Sequence, residues 1–143
     1  MNEATPVDLP VRASYRDTDQ MAVVYHANYL VYFEMGRVEW LRQHGMSYRT
    51  MEQRGVLIPL TSASLEFKRP AHFDDLLVVR TRLAEITRVR LRLGYELLRD
   101  GELLATGETA HVFADPALRP VRVTQAVVEF LRSGTGEPPE VLR

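Results

Sequence analysis

Two carboxylates, Asp17 and Asp19, flank Thr18 a few residues ahead of Tyr25-His26-Ala27-Asn28, where a helical pattern begins. A carboxylate so placed can attack a carbonyl carbon or take a proton from water. The first turn of a helix offers unpaired N–H groups and a partial positive charge. Those donors hold the oxyanion that develops during acyl transfer as readily as a bound anion. A structural use competes with this chemistry. Asp17 and Asp19 can close a turn and Asn28 can cap the helix, which is the commoner role of such residues. The local pattern leaves both readings open.

Other residue types add less. The His26 side chain is an acid–base group, or only its N–H matters. Tyr25 can line a pocket or fill core. Glu34 and Arg37 are three apart and suit an intrahelical ion pair. His44, His72 and His111 have no metal-ligand spacing, so no metal is expected. There is no cysteine, which excludes disulfides, thiolate-bound zinc and a thiol nucleophile. No G-x-S-x-G elbow marks a serine hydrolase of that type.

The elements that must position the carboxylates follow from periodicity. Leu9 to Tyr15 reads as a strand delivering Asp17 and Asp19. Tyr29, Phe33, Gly36 and Trp40 recur at steps of four and three, giving a helix of about four to five turns that stops at Gly45. Ser47 caps a short helix, Tyr48 to Arg54, ended by Gly55. Val56 to Phe67 and Leu76 to Ile86 read as strands. In Arg88 to Leu98, Val89, Leu91, Leu93, Tyr95 and Leu97 share one face and three arginines the other. Asp100-Gly101 signals a tight hairpin into a last strand, Leu103 to Phe113. Thr124 caps a final helix, Gln125 to Arg132. Residues 1–8 and 133–143 are expected to be loose. Segregated helices and strands imply an α+β fold in which an antiparallel sheet wraps the long helix.

With 143 residues, 45% of them hydrophobic, the chain forms one domain with a real core. A net charge of −1 gives no field favouring nucleic acid or an anionic membrane. Lys68 is the only lysine against seventeen arginines, a bias without an assigned function. No signal peptide is visible, and no apolar run approaches the ~18 residues of a membrane span. A soluble cytoplasmic protein is expected.

The run from Asp17 to Tyr29, with Phe33-Glu34 and Arg37 after it, resembles the signature of the 4-hydroxybenzoyl-CoA thioesterase-like family, in the branch with a Tyr-His pair. The likeness extends from Arg12 to about Phe130, including Phe73-Asp74-Asp75 and Asp115-Pro116. It implies a hotdog fold, with a five- or six-stranded antiparallel sheet around the long helix, assembled as a homodimer or homotetramer. It further implies acyl-CoA thioesterase activity without a cofactor. Asp19 would be nucleophile or general base, the N–H near His26 would hold the carbonyl oxygen, and Tyr25, Ala27 and Asn28 would line the substrate. The phosphates of CoA would fall to Arg88 and Arg90, or to Lys68 and Arg69. An acyl carrier protein thioesterase and a non-catalytic acyl-binding hotdog are the alternatives. One position departs from the family pattern. Ala22 replaces a usual glycine, and a turn needing positive φ would strain it by roughly 1–2 kcal/mol.

Overall fold

The computed structural model of the chain describes residues 5–133 and 136–142. Its strands are β1 (Val7–Arg12), β2 (Leu60–Phe67), β3 (Leu76–Ile86), β4 (Arg90–Arg99) and β5 (Glu102–Val112). The helices are α1 (Ala27–Gln43), α2 (Tyr48–Gln53) and α3 (Gln125–Ser133). The strands form one antiparallel sheet in the order β1-β3-β4-β5-β2. Helix α1 packs on one face of it, burying Tyr29, Phe33, Gly36, Trp40 and Leu41 as its spacing requires. This is the hotdog arrangement.

Close approach of helix and sheet depends on two missing side chains. A Cβ on Gly36 would lie 2.5 Å from Thr81 Oγ1 and 2.6 Å from Val79 Cγ1. A Cβ on Gly107 would lie 2.3 Å from the Phe33 ring, which instead stacks on Tyr95 at 4.7 Å. The opposite face of the sheet is charged. Arg80 pairs with Asp8 at 2.8 Å, Arg82 with Glu96 at 2.8 Å, and Arg92 with Glu108 at 2.9 Å. The alternation in β4 therefore has the expected sense, with Leu91, Leu93, Tyr95 and Leu97 all buried. The Asp100-Gly101 turn joins β4 to β5 with both residues at positive φ, 51° and 79°.

Several boundaries differ from the sequence reading. Strand β1 starts at Val7 and stops at Arg12, so residues 7 and 8 are strand rather than loose; Pro10 is tolerated because β1 is an edge. Val56 to Pro59 does not belong to β2. Leu57 makes an isolated bridge to Ala114, and the register shifts between Leu60 and Ser62. Val89 falls in the turn closed by Thr87, whose N–H donates to the Arg90 carbonyl. The C-terminal tail folds back instead of hanging free. Thr124 N–H donates to the Val141 carbonyl, its hydroxyl donates to the Glu140 carbonyl at 2.6 Å, and Val141 is buried. Residues 1–4, 134–135 and 143 of the segments expected to be loose lie outside the described residues. No helix among the described residues is long and apolar enough to cross a membrane.

Candidate functional site

The chain leaves β1 through a 3-10 turn, Tyr15–Asp17, and then doubles back in a tight hairpin. Thr18 bridges Val24, Asp19 N–H donates to the Val23 carbonyl at 2.9 Å, and Ala22 N–H donates to the Asp19 carbonyl at 3.0 Å. Closing that hairpin requires Ala22 at φ 65°, so the strained alternative is the one realised. Val24 N–H donates to the Ala71 carbonyl and Val23 bridges His72, tying the hairpin to the turn before β3.

The two carboxylates have different surroundings. Asp17 Oδ2 accepts from the Ser14 N–H at 3.0 Å and the Tyr32 hydroxyl at 2.8 Å. Partial burial pushes its pKa up, but these hydrogen bonds, helped by Arg16, outweigh that and hold it below the usual carboxylate range. Its backbone carbonyl accepts the Tyr25 N–H and the Asn28 side-chain amide, both at 2.8 Å. Asp17 thus pins the loop to the helix start, and the Asn28 amide is engaged there. Asp19 Oδ1 accepts only the Met21 N–H, at 2.8 Å, and the residue is half-buried. It lines an open groove of about 660 Å³ with Tyr15, Arg16, Gln20, Ala22 and Phe73.

At the start of α1, the backbone N–H groups of His26 and Ala27 have no acceptor among the described residues. The rings of Tyr25 and His26 lie 4.2 Å apart, and both residues are exposed. Neither they nor Ala27 line the Asp19 groove. In a single chain the carboxylate and the helix donors are neighbours in sequence but do not share one enclosed cavity.

The basic residues divide by topology. Lys68 and Arg69 follow β2, where their N–H groups donate to the Leu104 carbonyl near the start of β5. That is the end of the sheet where Arg12 pairs with Leu76 and the Asp19 hairpin begins. Lys68 is 4.0 Å from Glu66, and Arg69 is 3.0 Å from Glu102. Arg88 and Arg90 sit at the far end of β3, whose eleven residues span about 35 Å. Arg88 Nε donates to the Val123 carbonyl at 2.7 Å, and Arg90 is exposed.

The Glu34–Arg37 pair does not form. Glu34 is exposed, whereas Arg37 turns inward and donates to the Tyr48 hydroxyl at 3.1 Å and the Tyr95 hydroxyl at 3.4 Å. Tyr95 in turn meets Thr109 Oγ1 at 2.5 Å, and Thr109 meets His111 Nε2 at 2.9 Å. Burial, then the Arg37 charge, push His111 down to about 4. The inward turn could not be foreseen from spacing, because the hydroxyls that receive Arg37 come from α2 and β4. Among the described residues no group of three or more His, Asp or Glu is placed to hold a metal.

Comparison with known proteins fits this geometry. Residues 14–133 match the model of the thioesterase-like superfamily. The Bacillus subtilis protein YneP is 33% identical over 122 residues, covering 84% of this chain and 88% of that one. The acyl-CoA thioester hydrolase YbgC of Escherichia coli is 31% identical over 121 residues, 83% of this chain and 90% of its own. Among solved structures, the DHNA-CoA thioesterase of Staphylococcus aureus superposes with a TM-score of 0.79 at 30% identity, over 82% of this chain and 80% of that one. With a family model spanning both the Asp19 hairpin and the helix it precedes, the chain belongs to the thioesterase-like superfamily of hotdog proteins.

Proposed function

We propose that the chain is an acyl-CoA thioesterase, hydrolysing a thioester to a free acid and CoA, with Asp19 as nucleophile or general base. The observation that carries this is the contrast between the two aspartates. Asp17 is held by Ser14 and Tyr32, while Asp19 has a single N–H on one oxygen and faces an open groove. The names of YbgC and of the Staphylococcus enzyme point the same way.

As a base, Asp19 takes a proton from water while the water oxygen bonds to the thioester carbon. The carbonyl electron pair moves onto oxygen, where the N–H groups at His26 and Ala27 receive the charge. One such donor, fixed beforehand, is worth ~2.7–4 kcal/mol. Collapse of the adduct expels the CoA thiolate, which takes the proton from Asp19. As a nucleophile, the Asp19 carboxylate itself bonds to the carbon and expels the thiolate, and water then opens the anhydride. Tyr25, Ala27 and Asn28 flank the thioester carbonyl at the helix start, and His26 assists proton transfer. Lys68 and Arg69 meet phosphate from the same chain; Arg88 and Arg90 do so from a second copy, since their own chain holds them at the far end of the sheet. The working unit is a homodimer or homotetramer in the cytoplasm.

Asp19→Asn tests the reading. On a panel of CoA thioesters with free thiol detected, kcat falls at least ~10²-fold while the protein stays folded. Asp17→Asn is the control. It loses about 1–2 kcal/mol of stability with a smaller loss of rate, because it breaks charge-assisted hydrogen bonds rather than chemistry. Near wild-type turnover by Asp19→Asn ends the assignment. In single turnover in 18O-water, label in the Asp19 carboxylate marks the covalent route, with water opening the anhydride at the aspartyl carbonyl.

A further inference from the structure

The groove beside Asp19 has an apolar rim exposed to water. Tyr15 is 77% exposed and Phe73 53%. Tyr15 and Phe73 meet edge to face, with ring centroids 5.6 Å apart and planes at 77°. Both line the groove that Asp19 lines. Neither ring rides on a slack loop. Tyr15 opens the 3-10 turn, which the Thr18 N–H and hydroxyl both close on its carbonyl. Phe73 sits in a turn held by Asp74 N–H on the Ala13 carbonyl, and by Ala13 N–H on the Asp75 carbonyl. Arg99 clamps Asp75 at 2.8 Å. Two rings in contact are therefore held out into solvent by fixed backbone, along the groove that Asp19 also lines. Apolar surface gathered and exposed in this way marks a binding surface rather than a chance of packing.

We propose that Tyr15 and Phe73 form the wall on which the acyl group of the substrate lies, and that this wall selects apolar acyl chains of several carbons over acetyl. The inference rests on reading Asp19 as the residue at the thioester carbon. The acyl group starts at that carbon, so it must occupy surface next to Asp19. The nucleotide of CoA stands a whole pantetheine arm away and cannot be the occupant. A groove of about 660 Å³ has room for such a chain, and an open one. Each methylene laid on the wall leaves water, an advantage acetyl cannot collect. The edge-to-face pair presents both a ring face and a ring edge to such a chain.

The test compares hexanoyl-CoA with acetyl-CoA. In Tyr15→Ala and in Phe73→Ala the ratio of kcat/KM for hexanoyl-CoA over acetyl-CoA falls at least tenfold, and Tyr15→Phe keeps it. Equal losses on both substrates, or an unchanged ratio, overturn the wall. A changed oligomeric state by light scattering with the ratio intact would make the rim a contact between copies, and also overturn it. Calorimetry separates this from the hydrolytic reading. Hexanoyl-CoA is titrated into Asp19→Asn, with and without Tyr15→Ala. A Kd raised at least tenfold by Tyr15→Ala supports the wall even if Asp19→Asn still turns over. An unchanged Kd, or no binding in either, defeats the wall whatever Asp19 does.

Discussion

Ala22 is a strained residue in a place where the fold needs a positive φ. At φ 65° its Cβ meets the backbone crowding that glycine avoids, a cost of roughly 1–2 kcal/mol. Glycine would relieve that but would free the unfolded chain, which offsets part of the gain. Ala22→Gly is therefore expected to stabilise the protein by up to about 1 kcal/mol, read as a higher urea midpoint with unchanged slope. The residue was legible as an anomaly in the sequence, and positive φ was one of its two readings; the hydrogen bonds that Asp19 exchanges with Val23 and Ala22 select it. The resemblance singled out Asp19, but the contacts that distinguish its surroundings from those of Asp17 were hidden. The Tyr32 hydroxyl that engages Asp17 arrives from fifteen residues away, on α1.

At the scale of elements, periodic signals served well where one face meets one core. The stripe of α1 and the alternation of β4 translate directly into buried faces. They served poorly where backbone is satisfied by something other than a neighbouring strand, as at Val56 to Pro59 and in the tail bound by Thr124. The buried set Arg37, Tyr95, Thr109 and His111 couples α1 to β4 and β5, and it has a pH signature. His111 takes up a proton near the ordinary 6.5 when unfolded but only near 4 when folded. Between those values the unfolded chain binds more protons, so stability rises with pH across that window and falls as acid is added. Urea melts between about pH 4 and 6.5 should show that slope, and His111→Gln should flatten it.

For the whole molecule, the sheet has one charged face and one face occupied by α1, so further association is left to its edges and to the outer side of the helix. Strand β2 is exposed along nearly all its length, with Leu60 and Phe67 each more than half exposed, and as an edge strand it leaves one row of backbone N–H and C=O groups open to pairing. Its strand order also sets a timetable for the growing chain. Val7 waits for Thr81 and Leu60 for His111, so β1, α1 and β2 are synthesised before the strands they join. Only β3, β4 and β5 are linked by short turns to the partners beside them. Contacts close in sequence form first because they close smaller loops. Pulsed hydrogen exchange during refolding is expected to protect β3, β4 and β5 amides ahead of β1 and β2. Until then the apolar stripe of α1 is bare in water, and a nascent chain stalled before β3 would be a client for chaperones.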